Sequence, residues 1–141
     1  MYLIIVNDEE LLHLQNEMIH CQNYSECLLK TFIKFDAFPE RVERIRASLD
    51  SVKDVLAQID YMLSSRNSGI FNLYDLELSR YQIYTIFNEL LVCQRDFELG
   101  LLYCFDDIDN VEQAEIDKSK NRCSINLRLL DQIVNVIGKV R

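Results

Sequence analysis

Apolar positions recur every three to four residues through most of this chain, the period of helices that each bury one stripe. The stripe is cleanest at Val42, Ile45, Leu49, Val52, Leu56, Ile59 and Leu63, where nearly all intervening positions are polar. So narrow a stripe is the pattern of a bundle or coiled-coil seam. An earlier segment has the same spacing in Leu11, Leu14, Met18, Cys21, Ser25, Leu28 and Phe32. A third carries Leu76, Ile83, Phe87, Leu90, Phe97, Leu101 and Cys104, interrupted by Arg80 and Gln94, and a fourth carries Cys123, Leu127, Leu130, Val134 and Ile137.

Three breaks separate the segments. Residues 35–39 end in Pro39, which suits a first helical turn but not an interior; residues 64–69 read Ser-Ser-Arg-Asn-Ser-Gly; residues 106–110 are rich in Asp. The expected helices are 8–35, 39–64, 72–105 and 109–139. Asn7 with Glu10, Asn72 with Asp75, and Asp109 with Glu112 stand where side chains could cap them. Short connections favour antiparallel neighbours. The expected fold is therefore all-α: residues 1–141 form a single-domain, up-down-up-down antiparallel four-helix bundle, with a short apolar arm at residues 1–6. No internal repeat and no low-complexity segment is read from this pattern.

The third segment complicates the simple bundle. Beyond its stripe it carries Leu78, Ile86, Leu91, Val92, Cys93, Leu99 and Leu102, leaving a polar strip around Asn88, Glu89, Arg95 and Asp96. A helix apolar over most of its circumference is covered on more than one side. The arm or a second subunit could supply the cover. Ser79, Ile86, Cys93 and Gly100 share one seven-residue row of mostly small side chains, the candidate face of a homodimer.

Composition narrows the field. With 49% hydrophobic residues, 3 Gly and 1 Pro among 141, a disordered chain and a turn-rich β-sandwich are both excluded. The 23 acids outweigh 15 Lys and Arg to give a net charge of −8, which disfavours nucleic acid as a partner. The excess is local: residues 1–36 and 71–106 each carry 6 acids against 2 bases, while the other two segments balance. Some of these acids belong to helix starts, where the dipole favours them. Glu17, Glu26, Glu89, Asp96 and Glu98 do not.

The 5 cysteines are odd in number and lack any C-x-x-C pair, the usage of core thiols in a reducing compartment. The apolar start has no basic residue before it and runs into Asp8, Glu9 and Glu10, unlike a signal peptide. Residues 83–105 are interrupted by Glu89, Arg95, Asp96 and Glu98, so no continuous membrane span is expected. A cytoplasmic protein is the expectation.

Candidate chemistry is sparse. Glu10, His13, Glu17 and His20 lie along one helical row, an arrangement akin to the Glu-x-x-His pairs of carboxylate metal bundles. Those bundles place one pair on each of two helices, whereas both pairs here share one helix. The row reads as a solvated flank, with no metal and no cofactor expected. Both histidines sit in this helix, no Gly-flanked nucleophile appears and no glycine-rich phosphate loop exists, so enzymatic activity is not expected. Tyr74 and Tyr81, one heptad apart near Glu89 and Asp96, form the candidate partner-binding face. The functional expectation is a non-enzymatic, acidic protein-binding bundle that neutralises or chaperones a basic partner, as an immunity protein or secretion chaperone would. The alternatives are a self-associating homodimeric scaffold and a carboxylate/histidine metal-binding bundle.

Overall fold

In the computed structural model, which describes residues 1–35, 38–66, 72–106 and 113–139, four long helices pack with a two-stranded sheet. The order is β1 (Tyr2–Asn7), α1 (Asp8–Lys34), α2 (Pro39–Ser64), β2 (Leu73–Leu78), α3 (Arg80–Asp106) and α4 (Gln113–Lys139). The four-helix bundle and the boundaries of α1 and α2 agree with the periodicity. Asn7 caps α1 in a reciprocal box with Glu10, at 2.9 Å in each direction, and Pro39 opens α2.

The strands correct two expectations. The apolar arm is β1, and residues 73–78, expected as the first turns of a helix, form β2 antiparallel to it, with Ile4 opposite Leu76. The sequence Leu-Tyr-Asp-Leu-Glu-Leu alternates: Leu76 and Leu78 are buried while Leu73, Asp75 and Glu77 are exposed, the period of a half-buried strand. Asn72 and Asp75 therefore cap no helix. Ser79 does: its hydroxyl accepts the Gln82 N–H while the Gln82 side chain accepts the Ser79 N–H. The proposed cap at Asp109 and Glu112 lies outside the described residues.

Helix order departs from simple alternation as well. Up-down-up-down connectivity would make α1 and α3 parallel. Instead His13 stacks with Phe97, Glu17 meets Cys93 and Cys21 meets Glu89, so positions on α3 descend as those on α1 ascend. The two helices run antiparallel along their contact.

These pairs expose a repeat. Glu17 recurs at Glu89 and Cys21 at Cys93, a shift of 72, within a shared Asn-Glu-x-x-x-Cys-Gln-x-x-x-Glu motif at residues 16–26 and 88–98. The same shift carries Tyr2 to Tyr74, the cap Asn7/Glu10 to Ser79/Gln82, and the Gln22–Glu26 hydrogen bond to Gln94–Glu98. A shift of 74 carries Gln58 of α2 to Gln132 of α4. Each of these glutamines brackets the backbone of the other half's strand, Gln58 at Glu77 and Gln132 at Ile5. The chain is two β-α-α units related by an approximate two-fold axis. This overturns the reading of a chain without internal repeat. Its pattern was hidden because stripe residues had diverged while the matching polar residues lay between them.

One core unites both halves. Ile4, Val6, Leu76 and Leu78 from the sheet meet Leu11, Leu14 and Met18 of α1, Val52, Val55 and Ile59 of α2, and Ile83, Ile86 and Leu90 of α3. From α4 come Ile125, Leu129, Leu130 and Ile133, whereas Leu127 and Val134, expected in its stripe, are about half exposed. The α4 face is rotated because it must cover β1 as well as α3. Burying each such Leu or Ile contributes about 1.5–3 kcal/mol. Among the described residues, no helix is long and apolar enough to cross a membrane.

Candidate functional site

The polar chemistry gathers on the contact between α1 and α3. Near the two-fold axis, two thiols face two carboxylates: Cys93 bonds Glu17 and Cys21 bonds Glu89. Burial, reinforced in each case by the facing carboxylate, pushes both thiols up to about 12. Both are protonated donors at neutral pH.

On either side of this centre lies a cleft, and the two are equivalent under the repeat. One, of about 280 Å³, is lined by Glu17, His20, Glu89, Val92, Cys93, Asp96, Phe97 and Arg122. Beside it, His13 is buried, with Nε2 2.9 Å from Asn126 Oδ1. Asn126 is wholly buried on α4, and its Nδ2 donates to Leu90 O at 2.9 Å and Gln94 Oε1 at 3.1 Å. Gln94 Nε2 donates in turn to Glu98 Oε1 and Cys123 Sγ. Since the Asn126 amide nitrogen is committed as a donor, its oxygen must accept, which puts the imidazole proton on Nε2. The lone pair of His13 is then on Nδ1.

The other cleft, about 400 Å³, is lined by Cys21, Tyr24, Ser25, Leu28, Ile45, Ser48, Tyr81, Tyr84, Thr85, Asn88 and Glu89. Here the repeat has diverged. Thr85 stands where the first cleft has His13, Val52 where it has Asn126, Ser48 where it has Arg122, and Tyr24 where it has Asp96. One cleft has a buried imidazole network beside it; the other has a rim of tyrosines, with Glu89 the single charged residue among the described residues that line it.

The expected site residues are thus redistributed. Tyr74 is on β2, not on a helix with Tyr81, and its hydroxyl donates to Asp8 Oδ1 at 2.5 Å. Tyr81 and Glu89 meet in the tyrosine cleft; Glu89 also reaches the histidine cleft, where Asp96 lies. The candidate dimer row does not form a face. Ser79 is a helix cap, Ile86 and Cys93 are buried, and only Gly100 is exposed. Its heptad spacing pointed inward because α1 covers α3 on that side.

The Glu/His row is not a solvated flank along its length. Glu10 and His13 are buried, Glu10 also facing Arg128 at 3.7 Å, while Glu17 is half-buried and His20 exposed. Sequence reasoning missed Cys93, Asn126 and Gln94 as their companions. The signals available were the repeated Glu-x-x-x-Cys-Gln and an Asn set in an apolar stripe. The chain matches no protein-family model, no curated protein and no solved structure.

Proposed function

We propose that this chain is a non-enzymatic binding protein that takes a basic segment of a partner protein into its tyrosine cleft, neutralising or chaperoning that partner in the cytoplasm. One observation carries the reading: Tyr24, Tyr81 and Tyr84 border a hollow in which Glu89 is the one charged residue among the described residues. Aromatic faces attract a cation by about 0.5–2 kcal/mol, and a carboxylate within the same hollow adds charge complementarity. Tyr24 and Tyr81 are mostly exposed, at 62% and 53%, so their rings are accessible to a ligand. The net charge of −8 speeds encounter with a basic surface.

The test is affinity purification from the native cell with the parent chain, Tyr81→Ala/Tyr84→Ala and Glu89→Gln. A basic protein should be captured by the parent, and at least about tenfold less by both variants, a loss of about 1.4 kcal/mol. Equal capture by the variants, or an acidic partner, would refute the assignment.

A further inference from the structure

His13, Glu17 and Cys93 bring a nitrogen, a carboxylate oxygen and a sulfur within 4.8 Å of one another. They come from two helices in different halves of the repeat, so this is a constructed meeting and not a run of neighbours. We propose that these three side chains bind one divalent transition-metal ion of the zinc class, tying α1 to α3, with the fourth coordination position open to the adjacent cleft. The proposal is independent of what the tyrosine cleft binds.

Four features support it. The donor set is mixed imidazole, thiolate and carboxylate, which suits zinc and cobalt and not the oxygen-seeking calcium or magnesium. Donors around such an ion stand roughly 3–4 Å apart, so side-chain rotations of about an ångström close the site. His13 is already held as a metal-binding imidazole is held: Asn126 fixes the proton on Nε2, leaving Nδ1 its lone pair, and Asn126 is itself anchored by Leu90 and Gln94. The surroundings carry excess negative charge: among the described residues, Glu17, Glu89 and Asp96 line the cleft against Arg122.

The repeat supplies an internal contrast. The equivalent position across the axis has the same carboxylate and thiol, Glu89 and Cys21, but Thr85 in place of the imidazole and Val52 in place of its anchor. Only one of the two related positions has a full donor set. Binding exchanges cations: the Cys93 S–H bond breaks, its proton leaves to solvent, and the sulfur's electron pair goes to the metal. Glu17, which accepted that proton's hydrogen bond, becomes a ligand.

Chelator-stripped full-length protein is titrated with Co²⁺, which reports a thiolate ligand through its charge-transfer absorption. One equivalent should bind with that band, and Zn²⁺ should displace it. Cys93→Ser and His13→Thr should each abolish the band, while Cys21→Ser should retain it. Asn126→Val, which touches no ligand atom of the metal, should weaken binding about 10- to 100-fold. Circular dichroism shows which variants are folded, and His13→Thr installs the residue already tolerated at Thr85. No band with the parent protein, or a band that survives in folded Cys93→Ser or His13→Thr, overturns the site.

Discussion

Gln132 holds Ile5 by both of its backbone groups: Oε1 accepts the Ile5 N–H at 2.6 Å and Nε2 donates to the Ile5 carbonyl at 2.7 Å. Ile5 is the residue of β1 opposite Asp75 of β2, so the glutamine stands in for a third strand on the outer edge. Gln58 does the same for Glu77 on the other edge, at 2.9 and 3.0 Å. A two-stranded sheet is marginal alone, and these amides extend its ladder on both sides. Gln132→Ala should cost about 0.5–1.5 kcal/mol per lost bond, moderated because water can reach this edge. Gln58→Ala should cost a similar amount, and the double variant should be additive within about 0.5 kcal/mol, since the two sites share no partner. Urea denaturation measures all three.

The halves embrace each other through that exchange, which predicts the behaviour of a divided chain. Fragments 1–66 and 72–141 each lack the partner strand, the glutamine that brackets their strand and the opposite side of the α1/α3 contact. Each alone should be poorly ordered by circular dichroism. Mixed, they should form a one-to-one complex with restored helicity, readable by size-exclusion chromatography. Two fragments that fold independently and ignore each other would contradict the shared core.

What the residues disclosed in advance follows from what each interaction depends on. The capping box at Asn7 and Glu10, Pro39 at the start of α2 and the buried run from Leu49 to Ile59 depend on neighbours within a few turns, so period and spacing reveal them. Residues 73–78 alternate clearly, but six residues beside a long helical pattern are easily absorbed into it. The candidate site was least legible. His13 meets Asn126 across 113 positions, and nothing local to either says that the imidazole turns inward. The charge distribution also follows the repeat. The acids concentrate on α1 and α3 partly because the repeat places them at equivalent positions, with Glu17 and Glu26 recurring as Glu89 and Glu98.

The two thiol–carboxylate pairs set a pH dependence. A thiol has an ordinary value of 9.0, and Cys21 and Cys93 are pushed up to about 12 in the folded chain. Above pH 9 the unfolded chain releases these protons while the folded chain keeps them, so stability falls as pH rises. The contribution is fully present below about 9 and is lost on approaching 12. In chelator-stripped protein the melting temperature should therefore drop over this window, and Cys21→Ala/Cys93→Ala should flatten that part of the profile. Alkylation at pH 8 offers an independent check: exposed Cys27 should react first, and Cys21 and Cys93 only on unfolding.

Comparison between the two clefts supplies a last test, in which one is converted towards the other. Asn126 is the hub of the histidine side, accepting from His13 and donating to Leu90 and Gln94. Asn126→Val removes the hub but leaves the buried His13 N–H and the Gln94 carbonyl without their partner, at a cost of about 1–3 kcal/mol each. His13→Thr alone strands the Asn126 oxygen in the same way. The double variant carries Thr and Val together, the residues that stand at the equivalent positions 85 and 52 on the other side of the axis. It should be less destabilised than the sum of the two single changes, by about 0.5–3 kcal/mol of coupling. Additive losses measured by urea denaturation would mean that His13 and Asn126 do not act as one unit.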